Sequence, residues 1–448
     1  MAQFTNVIKR SGAIVPFNQE RISNAIYRAA VAVGGRDRER AVWLAGQVVQ
    51  LLEQMVPPGQ APHIEIIQDA VEKVLIENGH AAVAKAYILY RDEAARRREV
   101  QARRDAHPSE NIPWAKLWRV LDWAASHHVH TITALNQRLA SGEFPQIVHE
   151  SETAYEDDVT AAAQLLVARR DEIRLVLICG PSSSGKTTTT VKLEQHLHAS
   201  GARFKVLNLD HYFHDLEAHP QDEFGDHDYE TPQALDLPLI NLHLLRLLEG
   251  EEILIPQYDF KTSKRRLNQI PLHLESSELL LIDSLHGLYP PMTAGINDEQ
   301  KFKLYLEPLL QMKGLDDRYL RWTDIRLMRR MLRDEVHRAW NPRQTLEHWH
   351  YVRSSEMRNI IPYHATADFI INSAMPYELC LYRPRLLVQF KLWEQRFRDD
   401  PLRQDAYERA RRIRKMLDEI MPVDDDSSIP PTSVLREFIG GSSLDYGV

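Results

Sequence analysis

The densest chemistry in the chain lies in Gly180-Pro181-Ser182-Ser183-Ser184-Gly185-Lys186-Thr187, two glycines separated by four residues and followed at once by a lysine and a hydroxyl. This is the spacing of a phosphate-binding P-loop. Its glycines let backbone N–H groups turn inward around a phosphate chain. A helix opening at Lys186 adds partial positive charge at the same point. Lys186 is placed to reach the β- and γ-phosphates of ATP, and the Thr187 hydroxyl to ligate Mg²⁺. Gly180, Ser183, Ser184, Gly185 and Thr188 complete the expected ATP cradle. Asp283 ends the apolar run "LLLID", so a neighbouring strand would deliver its carboxylate to the same metal; an aspartate merely leaving a strand is the plainer reading.

Three further stretches bear on where a phosphate would go. Asp210 closes "RFKVLNLD", where a carboxylate beyond a strand end could take the proton from an attacking hydroxyl. Taken alone, it is slightly more often a helix N-cap or turn residue. "DYETPQALDLPL" and "PQYDFKTSKRR" read as polar, aromatic loops suited to a hydroxyl-rich or ring-bearing acceptor. In "DIRLMRRMLRDEVHR", Arg326, Arg330 and Arg333 share one helix face. Stacked guanidiniums suit a triphosphate losing its γ-group, although Asp334 and Glu335 could instead neutralise them.

Elements must position these groups. "IRLVLICG" from Ile173 is the continuous apolar run of a buried parallel strand, and "KTTTTVKLEQHLHASG" is a helix stopped by Gly201. "RFKVLNLD", "SELLLIDSLHG", "KFKLYL" and "ADFIIN" supply further strands. The alternation predicts an α/β fold, a doubly wound parallel sheet, over 171–400. Ahead of it, 1–95 read as a small, mostly helical domain with a short β-hairpin turning at Ser11-Gly12, and 96–170 as a helical connector. Residues 401–448 read as a charged helix followed by a linker-like tail.

Composition narrows the class. Lys plus Arg number 55 against 63 Asp plus Glu, for a net charge of −8, which argues against a general nucleic-acid binder. No apolar run approaches the roughly 20 residues of a membrane span, and the first residues lack a signal-peptide core. The two cysteines, Cys179 and Cys380, make no disulfide framework or zinc site. The expected compartment is the cytoplasm. The histidine pairs follow no ligand spacing; His286, just past Asp283, is the one expected near the phosphates.

Together, "GPSSSGKTT", "LDHYF", "DYETPxALD", "PQYDF" and "DIRLMRRMLRD" resemble the uridine kinase/phosphoribulokinase group of P-loop kinases, in that family's order. The resemblance covers roughly residues 173–372 and is strongest toward a bacterial uridine kinase-like subgroup. It implies Asp210 as catalytic base beside Lys186 and Arg333, and Thr187 and Asp283 as metal ligands. Arg330, Arg333 and Arg338 would belong to a mobile lid. Tyr212, Tyr229, Glu230, Tyr258 and Ser263, with Arg338, would line the acceptor site. "VIKRSGAIVPFNQERI" and "IIQDAVEKVLIENGHAAVAKAYILYR" are similar to the ATP-cone, a regulatory nucleotide-binding module. That likeness places ATP or dATP at Lys9, Arg10, Asn18 and Arg21, and implies a homo-oligomer.

The match has departures. Ser263 stands where uridine kinases carry a base-reading histidine, Trp340 replaces a lid arginine, Glu230 an aspartate and Asp283 a glutamate. Lys261, Lys264, Arg265 and Arg266 crowd the loop of the missing histidine, where they could hold an anionic acceptor or simply be solvated. Three functions are therefore open: a nucleoside kinase under ATP-cone control, a sugar or sugar-phosphate kinase, and a nucleotide sensor with little transfer.

Overall fold

The computed structural model describes residues 4–8, 14–57, 60–91, 112–219, 230–259, 262–337, 341–400 and 403–445, with backbone only at 336 and 337. Tyr229, Lys261, Arg338, Trp340, Lys9 and Arg10 lie outside the described residues. The chain forms two compact units, one within residues 1–109 and a larger one holding most of 110–448.

In the small unit, β1 (Asn6–Ile8) and β2 (Ile14–Pro16) pair antiparallel with Val7 opposite Val15. Four helices follow: α1 (Gln19–Ala32), α2 (Arg38–Met55), α3 (Ile64–Glu77) and α4 (81–91). Helix α1 starts where the Asn18 side chain accepts the Glu20 N–H at 2.8 Å, and α2 where Asp37 does the same for Arg40. Their apolar faces bury Ile26, Leu44, Val48, Leu52, Val71 and Leu75. Arg91 at the end of α4 spans Glu65, Asp69 and Glu72 of α3.

The large unit is built on a five-stranded sheet of β3 (Leu175–Cys179), β4 (Arg203–Asn208), β7 (Glu278–Ser284), β8 (Lys301–Glu307) and β9 (Phe369–Asn372). The spatial order is β4-β7-β3-β8-β9 and every pairing is parallel, as an α/β sheet with helical crossovers requires. Strand β3 is wholly buried, and its residues alternate between two apolar clusters. Val176 and Ile178 join one; Leu175, Leu177 and Cys179 join the other. The chain leaves β3 toward β4 on one side and later lays β8 on the other, so the end of β3 is the switch point where ligands of such sheets bind.

Three findings differ from the sequence-based expectation. Helices α5 (Trp114–Ser126), α6 (Ile132–Ala140) and α7 (Phe144–Ala168) are packed against the sheet: Ile147, Val148, Val159 and Leu166 share the core of Val176 and Ile178. "PQYDFKTSKRR" is part of an antiparallel hairpin, β5 (Ile253–Asp259) with β6 (Lys264–Leu272). The tail after α13 (Gln404–Glu419) also packs inward, burying Ile429, Val434, Leu435 and Phe438. No described helix is long and apolar enough to cross a membrane.

Candidate active site

The phosphate loop sits at the end of β3, where α8 (Lys186–Ala199) begins. Glycine is required twice. A Cβ at Gly180 would lie 2.3 Å from the Leu306 carbonyl oxygen, and Gly185 caps α8 with φ of 93°. Ser183 takes φ of 59° despite its side chain, a strained conformation of the kind held at ligand sites. The Oγ atoms of Ser183 and Ser184 are buried without a partner.

Four consecutive threonines make a poor helix start, so their hydroxyls carry part of the stability. Thr189 and Thr190 donate to the carbonyls of Gly185 and Lys186 at 2.8 and 2.9 Å, and Thr189 also meets the Tyr155 hydroxyl of α7 at 2.6 Å. Thr188 donates to Glu437. Thr187, half-exposed, is the one whose hydroxyl engages no described protein partner. That leaves it available to a metal.

Strand register brings the acids together. Asp283 on β7 lies opposite Ile178 of β3 on one side and Asn208 of β4 on the other. Asp210 follows two residues later in a 3-10 turn begun by the Asn208 side chain, which accepts the Asp210 N–H at 2.9 Å. Burial, then the charges of Asp210 and Glu437, push the Asp283 carboxyl up to about 6 against the opposing pull of Lys186. A carboxylate so crowded by like charge suits a cation. Among the described residues there is no group of three or more His, Cys, Asp or Glu set to hold an ion. The donors fit Mg²⁺, which keeps waters and shares its shell with phosphate.

The arginine helix α10 (Trp322–His337) departs from a row of lid cations. Arg326 is fully buried, forked onto Glu356 at 2.5 and 2.8 Å, and donates to the Ser182 carbonyl at 3.1 Å. It is a strut beneath the loop. Arg329, which the sequence reading did not single out although it neighbours Arg326 and Arg333 on the helix, is forked onto Glu378 at 2.7 and 3.0 Å and donates to the Ser373 carbonyl. Ser373 in turn donates to the Ser184 carbonyl. Arg330 reaches the loop directly, meeting Ser182 Oγ at 3.3 Å and Glu230 at 2.9 Å. Arg333 lies against Asp334.

Glu230 and His286 come together. His286 is buried, its ring hydrogen-bonded to the Glu230 backbone and its Nδ1 unpartnered. Burial pushes the ring down to about 4, so it is neutral. Tyr212 is a correction: it is fully buried in the core with its hydroxyl on His243 at 2.9 Å, and lines no site. Tyr258 is buried against Phe213 and bonded to Ser263, which turns the β5–β6 hairpin at φ of 54°. Of the basic loop, Lys264 pairs with Glu217 and Arg265 with Asp236. In the small unit, Asn18 works as a helix cap and Arg21 is exposed on α1.

Comparison with known proteins finds family matches on both units. The model of the phosphoribulokinase/uridine kinase family matches residues 175–379. Those residues are a domain of that family. The ATP cone domain model matches residues 5–96, so the chain is a P-loop, ATP-dependent kinase with an ATP cone ahead of its kinase domain. A uridine kinase of Deinococcus deserti is 29% identical over 195 residues, covering 43% of this chain and 84% of its own. One from Oceanobacillus iheyensis is 28% identical over 195 residues, again 43% of this chain and 83% of that one. A solved structure of a possible uridine kinase from Bacillus stearothermophilus has 19% identity and a TM-score of 0.33, over 48% of this chain and 97% of that one.

Proposed function

We propose that the protein transfers the γ-phosphate of ATP to a hydroxyl of a nucleoside, with a pyrimidine nucleoside as the first candidate. The observation that carries this reading is the register of β4, β7 and β3, which sets Asp210, Asp283 and Lys186 at adjacent strand ends. Asp210 accepts the proton of the attacking hydroxyl. The N–H groups opening α8 and the Lys186 ammonium hold the phosphate chain, and Arg330 and Arg333 meet the charge that develops as the γ-phosphoryl leaves. Thr187 and Asp283 are the residues that would hold Mg²⁺, whose charge would neutralise phosphate oxygens.

Neutral His286 beside Glu230 keeps one buried ring nitrogen, Nδ1, without a partner, which on this reading the acceptor engages. It can take up the polar contact that Ser263 does not make. Pairing of Lys264 and Arg265 with carboxylates reduces the positive charge this loop would offer a phosphorylated sugar. The names of the relatives, uridine kinases, point the same way. We further propose that the ATP cone binds ATP or dATP through Lys9, Arg10 and Arg21 and modulates the kinase, and that a soluble cytoplasmic oligomer is the working form.

The test is ADP release from Mg-ATP across nucleosides, pentoses and sugar phosphates. Uridine or cytidine should stimulate the wild type, and Asp210→Asn should lose about 10²–10⁴-fold of that rate. Equal stimulation in the variant would remove Asp210 from the chemistry. Stimulation by none of the acceptors would end the kinase reading in favour of a sensor.

A further inference from the structure

Within the large unit, the phosphate loop already holds an anion that belongs to the chain itself. Thr189 N–H is the first of α8 to reach a backbone carbonyl, that of Gly185, at 3.1 Å. The N–H groups just before it are the unsatisfied donors that a P-loop offers to phosphate. Thr188 supplies the last of these in line, and it is taken: its N–H donates to Glu437 Oε2 at 3.1 Å and its hydroxyl to the same oxygen at 2.8 Å. A carboxylate on a helix N-terminus satisfies the same dipole as a phosphate.

The segment that carries Glu437 is docked in place. Val434 lies against Gly185, close enough that a Cβ there would meet its Cγ2 at 2.5 Å. Ser433 donates to Glu152 of α7 and lies 3.4 Å from the Tyr377 hydroxyl. Phe438 is fully buried beneath the Arg329 guanidinium, 5.0 Å from its ring centre. Arg436 is held by the carbonyls of Asp426 and Ile429 at 2.8 and 2.9 Å. These contacts fix a negative group on the loop from 249 residues away in sequence.

We infer that the segment Ser433–Ile439 is an internal competitor of the nucleotide. Glu437 holds the Thr188 donors, and a triphosphate seats fully on the loop only when that carboxylate withdraws. This rests on the reading of the loop as a nucleoside triphosphate site. The docked tail therefore lowers apparent affinity by the fraction of molecules in which it is seated. Any condition that frees the tail raises affinity without touching the catalytic groups. The geometry also sets the limit of the effect: one donor residue is occupied, while the buried Ser183 and Ser184 hydroxyls stay unpartnered, so nucleotide has a foothold from which to displace the tail.

The experiment is ATP binding by calorimetry on the full-length wild type, Glu437→Ala, Glu437→Gln and Lys186→Ala. Binding that disappears in Lys186→Ala is assigned to the loop, which separates it from any site in the ATP cone. Glu437→Ala should tighten loop binding about tenfold, with Glu437→Gln between it and wild type, because the amide keeps an acceptor and loses the charge. Unchanged or weaker loop binding in Glu437→Ala would overturn the inference and make the tail a brace instead. Should that variant fail to fold, hydrogen exchange on wild type decides: amides of 433–439 should lose protection at saturating ATP, and continued protection would overturn it. If no variant and no wild type shows loop binding, the nucleotide reading falls and the inference with it. Binding lost in Lys186→Ala but indifferent to Glu437→Ala sinks the tail alone.

Discussion

Asp283 concentrates the electrostatics of the site in one side chain. Its carboxyl is raised to about 6 by burial and by the charges of Asp210 and Glu437, so in the free enzyme it carries a proton below that pH. The raised pKa means the folded state binds more protons than the unfolded one between about pH 4 and pH 6, so stability falls as pH rises through that window and stays lower above it. Activity should run the other way. An acid limb near pH 6 is expected in kcat/KM at limiting Mg²⁺, because proton and metal compete for one carboxylate. Raising Mg²⁺ tenfold should move that limb down by up to about one unit; a limb that ignores the metal would separate Asp283 from metal binding. His286 is a second residue-scale case. The His286 ring is hydrogen-bonded to the Glu230 backbone, so if the acceptor binds there as proposed, His286→Ala should raise the nucleoside KM about tenfold and leave ATP-only hydrolysis unchanged. Steady-state kinetics in both substrates measures the split.

Helix α10 shows how one element serves loop and core at once. Arg326 and Arg329 are completely buried, and such cations survive only when forked onto carboxylates. Arg326→Met should leave Glu356 with Arg353 as its remaining ion-pair partner and cost about 3–5 kcal/mol in chemical denaturation. ATP affinity should fall as well, since Ser182 loses its strut; a variant of wild-type stability would show that the pair is replaceable. None of this was legible from spacing alone. An arginine row at helical spacing looks the same whether it faces ligand or glutamate, and Glu356 and Glu378 lie 30 and 49 residues onward. The strands and the loop were legible because their signals are local: an apolar run, a glycine pair, a stop at Gly201. The β5–β6 hairpin was hidden by its polar outward face, and Tyr212 by an aromatic that fits a pocket as well as a core. The tail was read as a linker because Asp424–Asp426 and Pro430–Pro431 break its apolar residues, among them the buried Ile429, Val434, Leu435 and Phe438, into short, non-periodic pieces.

The whole molecule consists of two units with separate cores, Ile26, Leu44, Val48 and Val71 in one and the sheet clusters in the other. Two cores of such unequal size need not unfold together, and each unit carries its own nucleotide-binding signature, the ATP cone over 5–96 and the P-loop at 180–187. A ligand stabilises only the unit to which it binds, by an amount set by its concentration over its Kd. Calorimetric melts of the intact chain should therefore resolve two transitions that answer to different mutations. Lys186→Ala should abolish the ATP-induced shift of the larger transition and leave that of the smaller one. Arg21→Ala, which removes an exposed cation from α1 without touching a core contact, should do the reverse. At ligand a hundredfold above Kd each shift corresponds to about 2.7 kcal/mol, several degrees for a unit of roughly 100 residues. Loss of both shifts in either single variant would mean that the molecule holds one nucleotide site, and the regulatory role proposed for the ATP cone would have no ligand to act through.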